Sequence, residues 1–301
     1  MNCAVHKSQS ELPKLHFEGY ISNRKHYYIN DICAISNDVV LLACGPAGLR
    51  ALSLSQRPEQ SQINADSLAE LKWNAYSIAY ENATDTLVLV MRRFENRSND
   101  WAWQLVSLRR NGSWWLVVHR VRHGIGPYPL VAACGSRVLL GNETMLNVFD
   151  VHQDHSLIVV GVVSLEDTPM RGRQYYSLSC TGSGNETLVA FTNFKSGSLL
   201  RLRHAPFALE QVANITFGSL ASPLWFREHL LFLTQTRTRT ANNTRKVIVR
   251  VESLRLWGNE LIDRRVLLDI PGAVREGAWT LAGKRLVLWK STEPRLYVYT
   301  F

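Results

Sequence analysis

Residues 36–55 read SNDVVLLACGPAGLRALSLS. A polar turn leads into a short apolar run, a Gly/Pro turn follows, and an alternating segment comes last. A continuous apolar run between turn residues is typical of a strand buried on both faces, whereas alternation is typical of a strand with unlike faces. The stretch therefore predicts two neighbouring strands joined by a tight turn.

The same unit recurs along the chain. Its mark is an apolar triplet that follows a polar turn, and the triplets are centred on residues 41, 88, 139, 189, 231 and 287. Strand candidates precede and follow each triplet. The gaps of 47, 51, 50, 42 and 56 residues match the size of a four-stranded propeller blade. The repeats therefore predict an all-β protein with a single six-bladed β-propeller.

The two chain ends suggest how the ring closes. The sixth unit reaches Phe301 with three strand candidates, whereas residues 12–21, LPKLHFEGYI, form a candidate before the first unit. We expect this N-terminal strand to complete the last blade, because a closed ring leaves no long exposed sheet edge. Residues 12–29 would then form the closing strand and the start of blade one. Residues 1–11 are expected to be flexible, within a single domain that spans residues 1–301.

Two other architectures compete with the six-bladed ring. A seven-bladed ring would need about 40 residues for each blade, and the sequence contains six triplets. A pair of β-sandwiches would not require the near-constant spacing. Both alternatives are therefore less favoured than six blades.

Charge and composition restrict the classes of partner and compartment. Lys and Arg number 34 against 25 Asp and Glu, which gives a net charge of +9 and favours acidic partners, nucleic acid among them. No apolar run approaches the roughly 20 residues of a membrane-spanning helix. The first 14 residues lack the apolar segment of a secretory signal. We therefore expect an intracellular protein, cytoplasmic or nuclear, with no membrane span.

Cysteine and asparagine patterns fit the same interpretation. The five cysteines are widely spaced and form no CxxC pair, so reduced thiols are expected instead of a zinc or redox motif. Seven asparagines lie in N-x-S/T sequons. They are Asn82, Asn96, Asn111, Asn142, Asn185, Asn214 and Asn242. Clusters of Asn, Ser, Thr and Gly also build tight β-turns, and we interpret the sequons as turns.

Two regions are candidates for binding a partner. In the second unit, tryptophans are interleaved with arginines, as in interface hot spots and in sites that stack nucleic-acid bases. The residues chosen there are Trp101, Trp103, Arg109, Arg110 and Trp114. In the fifth unit, residues 234–246, TQTRTRTANNTRK, form a longer polar hairpin than a blade needs, and long loops on rigid scaffolds often carry function. Its basic residues are Arg237, Arg239, Arg245 and Lys246. The competing interpretations are packing between blades and a tolerated insertion.

Catalytic and metal motifs are weak. Residues 150–155, DVHQDH, could ligate a metal, but they lie between two strand candidates where a polar turn is ordinary. Residues 107–115, SLRRNGSWW, resemble the Asp-box of sialidases only loosely, with Arg109 at the aspartate position. Nucleophile-elbow, P-loop and HExxH patterns are absent from the sequence. We expect no metal and no cofactor, and a sialidase- or lactonase-like hydrolase is a minor alternative.

One unit resembles a known class of repeat. Ala43, Gly48 and Leu49 with the following ALSLS are similar to WD-type and LVIVD-type propeller repeats, and residues 147–151, NVFDV, look like the third strand of such a repeat. The Gly-His and Trp-Asp pairs of the standard WD signature are missing. The resemblance implies a propeller without identifying a family. A rigid disc of this kind predicts a non-catalytic scaffold that binds protein partners within a complex, or, as an alternative, a nucleic-acid-associated propeller.

Overall fold

The computed structural model shows an all-β chain. It describes residues 12, 14–22, 27–55, 73–95, 100–112, 114–125, 129–142, 144–166, 177–182, 186–192, 196–216, 222–239, 245–257, 260–271, 277–290, 293 and 295–301. These residues form 23 strands and no helix. The strands make six small antiparallel sheets, which are the predicted blades.

The blades follow one another along the chain, except that the first strand, β1 (His16–Ser22), belongs to the last blade. Blade one contains β2 (Asp31–Ala34), β3 (Val39–Ala43) and β4 (Leu49–Ser53). Blade two contains β5 (Asn74–Glu81), β6 (Thr86–Glu95), β7 (Asp100–Asn111) and β8 (Trp114–Ile125). Blade three contains β9 (Leu130–Cys134), β10 (Arg137–Gly141), β11 (Met145–Val151) and β12 (Leu157–Ser164).

The remaining blades repeat this order. Blade four contains β13 (Ser177–Thr181), β14 (Glu186–Thr192), β15 (Gly197–His204) and β16 (Phe207–Ile215). Blade five contains β17 (Leu224–Phe226), β18 (His229–Arg239), β19 (Arg245–Trp257) and β20 (Glu260–Pro271). Blade six contains β21 (Gly277–Ala282), β22 (Arg285–Lys290) and β23 (Arg295–Thr300), together with β1.

The first strands of the blades close the ring. Each first strand contacts the first strand of the next blade, in the order β2, β5, β9, β13, β17 and β21. Strand β21 in turn contacts β2. This cyclic order confirms the six-bladed propeller. Blade one has three strands in the part of the chain that the structure describes, and its fourth strand, expected around residues 61–73, falls almost entirely outside that part.

The predicted closure by the N-terminal strand is confirmed. Strand β1 pairs antiparallel with β23, with His16 opposite Thr300 and Tyr20 opposite Tyr297. The strand begins four residues later than the sequence indicated. The preceding Leu12 belongs to the apolar cluster between blades five and six. Residues 1–11, which were expected to be flexible, lie outside the described residues.

The core is divided among the interfaces between blades. Every predicted triplet lies on the second strand of its blade, and successive side chains point to opposite neighbours. In β22, Leu286 and Leu288 pack against blade five, whereas Val287 and Trp289 pack against blade one. Because both faces of such a strand are buried, its sequence is a continuous apolar run. Each fully buried aliphatic side chain contributes roughly 1.5–3 kcal/mol.

The shared order of strands defines two faces of the disc. Every blade runs outward from its inner strand, so the hairpins between second and third strands all open to one face, which we call the upper face. The turns between first and second strands, and between third and fourth strands, lie on the opposite, lower face. In the five described blades with four strands, the fourth strands form the rim.

Candidate interaction surfaces

Blades two and five are taller than the others on the upper face. In blade five, β18 and β19 contain 11 and 13 residues, and in blade two β6 and β7 contain 10 and 12. The matching strand β10 of blade three has five. Five additional residues extend a strand by about 17 Å. Since blades two and five are opposite each other in a ring of six, two raised hairpins flank the centre of this face.

The blade-five hairpin places its basic residues together. The last three backbone pairs of β18 and β19 are Arg237 with Val247, Thr238 with Lys246, and Arg239 with Arg245. The four basic residues predicted from the sequence therefore all lie within three rungs at the raised end. Their side chains are outside the described part of the structure.

A buried carboxylate joins the three strands beneath this hairpin. Glu252 on β19 accepts a hydrogen bond from Thr234 Oγ1 at 2.6 Å and another from Arg264 Nε. Burial works to raise the pKa of Glu252, but the hydrogen bonds from Arg264 and Thr234 outweigh it, and the pKa is lowered. The charged carboxylate links β18 and β20 to β19 and so stabilises the part of the sheet from which the raised hairpin extends.

The upper end of blade two carries a stack of aromatic and basic side chains. The Arg92 guanidinium lies 4.3 Å from the ring centre of Tyr76 and 4.9 Å from that of Trp101. Trp101 also meets Phe94 edge to face at 5.4 Å. Arg93 lies 4.7 Å from the Trp73 ring. Cation–π contacts of this kind fix the orientation of both partners. Trp101 is therefore paired with an arginine that the sequence analysis did not select.

Trp103 packs between blades two and three. Its side chain is buried in the apolar cluster shared by these blades, and its indole lies against the backbone of Gly124 on the outer strand. A Cβ at position 124 would lie 2.8 Å from the indole, so glycine is required for this close approach. Trp103 therefore contributes to packing between blades two and three.

The remaining selected residues of blade two lie at the lower face. Arg109 and Arg110 are exposed near the end of β7, and Arg110 Nε donates to the Gly112 carbonyl oxygen at 3.3 Å. The Trp114 side chain is outside the described part of the structure. Eight residues of strand separate Arg109 from Trp101, which is about 26 Å. The structure therefore divides the predicted aromatic and basic region between two faces instead of forming one patch.

A polar link that the sequence analysis missed connects three blades near the central axis. Asp31 Oδ2 accepts hydrogen bonds from Ser77 Oγ at 3.1 Å and from the Ile78 amide at 3.0 Å, and Ser77 Oγ accepts the Val131 amide at 3.3 Å. Burial raises the pKa of Asp31 to about 6, against the lowering effect of these hydrogen bonds. An acidic residue at the start of an inner strand is the sequence signal for this link.

The side chains of residues 150–155 serve separate partners. Asp150 pairs with Arg137 at 3.0 Å, and Asp154 Oδ1 accepts hydrogen bonds from Ser156. His155 Nδ1 lies 2.8 Å from Thr86 Oγ1 of blade two. Within the described residues, no three His, Cys, Asp or Glu side chains are grouped to hold a metal.

Thiols and one sequon asparagine occupy structural positions. The four described cysteines are free, and burial raises the pKa of Cys33 and of Cys44 to about 12, so both remain protonated at neutral pH. Asn142 Oδ1 accepts the amides of Thr144 and Met145 in a tight turn. This sequon therefore has the turn role expected of it.

Comparisons with solved structures show the same fold over nearly the whole chain. The structure of U3-55K gives a TM-score of 0.55 at 9% identity and covers 96% of this chain and 98% of that chain. The WD40 β-propeller domain of Doa1 gives 0.51 at 9%, covering 96% and 97%. A putative oxidoreductase (glucose dehydrogenase) from Thermus thermophilus gives 0.53 at 12%, covering 95% and 99%.

These likenesses show a β-propeller and nothing finer, because their sequence identities are low. No protein-family model matches the chain, and no curated protein matches it. Over the ranges that the structure describes, no helix is long and apolar enough to cross a membrane. The fold is shared by a WD40 domain and by a putative enzyme, so function has to be argued from the surfaces of this chain.

Proposed function

We propose that the chain is a non-catalytic scaffold that binds a protein partner on its upper face, as a subunit of a larger intracellular complex in the cytoplasm or nucleus. The observation that carries the proposal is the pair of raised hairpins on blades two and five. Hairpins that project beyond a rigid disc add no packing to it, and projecting elements on rigid scaffolds commonly serve recognition. The whole chain would act as one domain.

The charge of the hairpins indicates the kind of partner. The blade-five hairpin has four basic residues within three rungs, and the chain carries a net charge of +9. Such a surface attracts an acidic partner and accelerates its association. An acidic protein surface is the partner that we propose. Nucleic acid is the competing partner, and a salt titration separates the two.

The non-catalytic role is supported by the positions of the carboxyl groups whose pKa is shifted, because each makes structural hydrogen bonds. Asp31 links inner strands, and Glu252 joins the strands of blade five. Glu293 accepts a hydrogen bond from Lys290 at 2.7 Å within the turn of blade six. Perturbed acids in an enzyme are typically left facing a substrate. Here each carboxylate is held by neighbouring strands or turns.

Affinity purification from native cells tests this function. The variant replaces Arg237, Arg239, Arg245 and Lys246 with Glu, and the control replaces the exposed residues Lys14, Arg203, Arg227 and Lys284 with Glu. Both variants change the net charge equally. Quantitative mass spectrometry should show partners lost at least about tenfold from the hairpin variant alone. Equal recovery with both variants, or no stable partner for the native chain, would contradict the proposal.

A binding assay with nucleic acid addresses the competing partner. Fluorescence anisotropy with a 20-nucleotide RNA and a 20-base-pair DNA duplex, at 50 and 200 mM salt, measures this directly. A purely electrostatic contact loses most of its affinity over this range. We expect weak binding that disappears at the higher salt. Tight binding at 200 mM salt, abolished by the hairpin substitutions, would favour nucleic acid as the partner.

A further inference from the structure

Two cysteine thiols meet at the interface between blades three and four. Cys134 is the last residue of β9, and Cys180 is the penultimate residue of β13. These two strands are the first strands of adjacent blades and contact each other in the inner ring. The Cys134 side chain is hydrogen-bonded to the Cys180 thiol. Both residues also pack against the apolar cluster that the two blades share. The fold therefore joins two thiols that are distant in the sequence.

The other two described cysteines lie at different interfaces. Cys33 packs against the cluster between blades one and two, and Cys44 belongs to the cluster between blades six and one. All four described thiols are free. Within the described residues, no third His, Cys, Asp or Glu side chain joins Cys134 and Cys180 to complete a metal site. The pair is therefore suited to thiol chemistry, and the ligands that a metal centre would need are not grouped there.

Protonation and position determine how the pair can react. Burial, together with the Cys134 thiol beside it, raises the pKa of Cys180 well above its ordinary value, so this thiol is protonated at neutral pH. Because the thiolate is the reactive form, the pair should react slowly. Both cysteines are half-buried, and both lie beside exposed glycines of lower-face turns, Gly135 and Gly182. A small oxidant can therefore approach the pair from the lower face.

We propose that Cys134 and Cys180 form a reversible disulfide when the chain meets a low-molecular-weight disulfide such as oxidised glutathione. One thiol of the pair loses its proton, and its sulfur attacks a sulfur of glutathione disulfide. This step leaves a mixed disulfide and releases one glutathione thiolate. The second thiol then loses its proton and attacks the cysteine sulfur of the mixed disulfide, which releases the second glutathione thiolate. The two protons pass to the two thiolates, so two thiols of the chain are oxidised while one glutathione disulfide is reduced to two thiols.

The disulfide joins blades three and four covalently within the inner ring. Without it, these blades meet through apolar packing of residues such as Leu139 and Val189. A cross-link between residues far apart in the chain raises stability, mainly because it restricts the unfolded state. The pair lies toward the lower face and away from the raised hairpins, so the proposal does not depend on their function.

Peptide mapping after oxidation tests the proposal on the full chain. The purified protein is incubated in glutathione buffers of increasing oxidised fraction, the remaining thiols are alkylated, and trypsin digestion follows without reductant. Cleavage after Arg and Lys places Cys134 in residues 123–137 and Cys180 in residues 174–195. Mass spectrometry should detect these two peptides joined, with a mass lower by two hydrogens than their sum. Dithiothreitol should separate them again.

Single cysteine variants provide the controls. Cys134→Ser and Cys180→Ser each remove one partner, so neither variant can form the linked peptides. Cys44→Ser is the matched control, because Cys44 is a free thiol buried at another interface. It should form the linked peptides to the same extent as the native chain. Circular dichroism of the reduced proteins establishes that all variants fold.

Thermal melting of the oxidised and reduced proteins measures the effect of the cross-link on the fold. Oxidation should raise the melting temperature of the native chain and of Cys44→Ser by about 5 °C or more. It should leave the melting temperatures of Cys134→Ser and Cys180→Ser within about 1 °C of their reduced values. A rise that is equal in all four proteins would overturn the assignment to this pair.

Other outcomes of the peptide map would also overturn the proposal. Glutathione that stays on Cys134 or Cys180 as a mixed disulfide, with no linked peptides at any buffer ratio, would show that the two sulfurs do not close into a bond. Linkage of either residue to a different cysteine would assign the oxidation to another pair. A disulfide-linked dimer on a non-reducing gel would show that the bond joins two molecules. The proposal expects a monomer with the two peptides joined.

Discussion

The second strands of the blades and the raised hairpins of blades two and five differ in what surrounds them. A residue such as Leu288 on β22 is packed between neighbouring strands and a neighbouring blade, and the next residue is packed against the opposite blade. The rungs from Arg237 to Arg239 extend well beyond β17, which pairs with β18 only as far as Leu231. Burial on both faces restricts the second strands to apolar residues. The raised hairpins have no such restriction, so their sequence can serve recognition.

Removal of a fully buried aromatic side chain from the second strand of a blade should have the largest effect on stability. Phe232 is buried between blades four and five. We expect Phe232→Ala to lower the free energy of unfolding by about 3–5 kcal/mol, from lost burial and a cavity. Urea denaturation followed by tryptophan fluorescence measures the change. Val266→Ala on the rim is the control and should stay within about 0.5 kcal/mol. Equal effects of the two would remove the contrast between core and rim.

The Asp31 link joins the inner strands of blades one, two and three, and the pH dependence of stability tests it. The pKa of Asp31 is about 6 in the folded chain, against an ordinary 3.8. Since the folded state binds the proton more tightly, this group favours folding most below its unfolded pKa, and the advantage is lost as the pH rises through about 6. From pH 4.5 to 7.5 the loss should be about 2 kcal/mol.

Urea titrations at the two pH values check this expectation. Asp31→Asn keeps an oxygen acceptor for Ser77 and Ile78 but cannot titrate, so its free energy of unfolding should change less between these pH values. The difference between native chain and variant isolates the carboxyl group. A pH dependence that is the same in both proteins would show that Asp31 is not perturbed in this way.

The approach of Trp103 to Gly124 offers a smaller test of packing at the outer part of a blade. A Cβ at position 124 would collide with the indole, so Gly124→Ala should cost about 1–2 kcal/mol through displacement of the ring. Trp103→Phe removes the colliding atoms. In a double-mutant cycle, the alanine should therefore cost less in the Trp103→Phe background. Additive costs would indicate that the two residues do not interact.

The stack at the upper end of blade two should contribute least to stability. Arg92→Met keeps most of the side-chain length but removes the charge that lies over Tyr76 and Trp101. We expect a loss of about 0.5–1 kcal/mol, typical of a cation–π contact. Thermal melting measures it, and Lys284→Met in the exposed turn between β21 and β22 is the control. A loss of several kcal/mol would place Arg92 among core residues.

The six triplets predicted the blades because burial on both faces imposes a continuous apolar run, and the unpaired strand before the first unit predicted the closure. The arrangement of the candidate binding residues could be predicted less well from the sequence. Trp101 and Arg109 are close in sequence, yet a long strand carries them to opposite faces of the disc. The partner of Trp101 is Arg92, which comes from the preceding strand through cross-strand pairing.

Cryo-electron microscopy of the assembly purified from native cells with this chain would locate the partner. We expect density for a protein partner on the upper face, in contact with the blade-five hairpin around Arg237 to Lys246 and with blade two near Trp101. We also expect the six-bladed disc to be unchanged. A partner that contacts only the lower face, or a chain that purifies without any partner, would show that the raised hairpins are not the binding site.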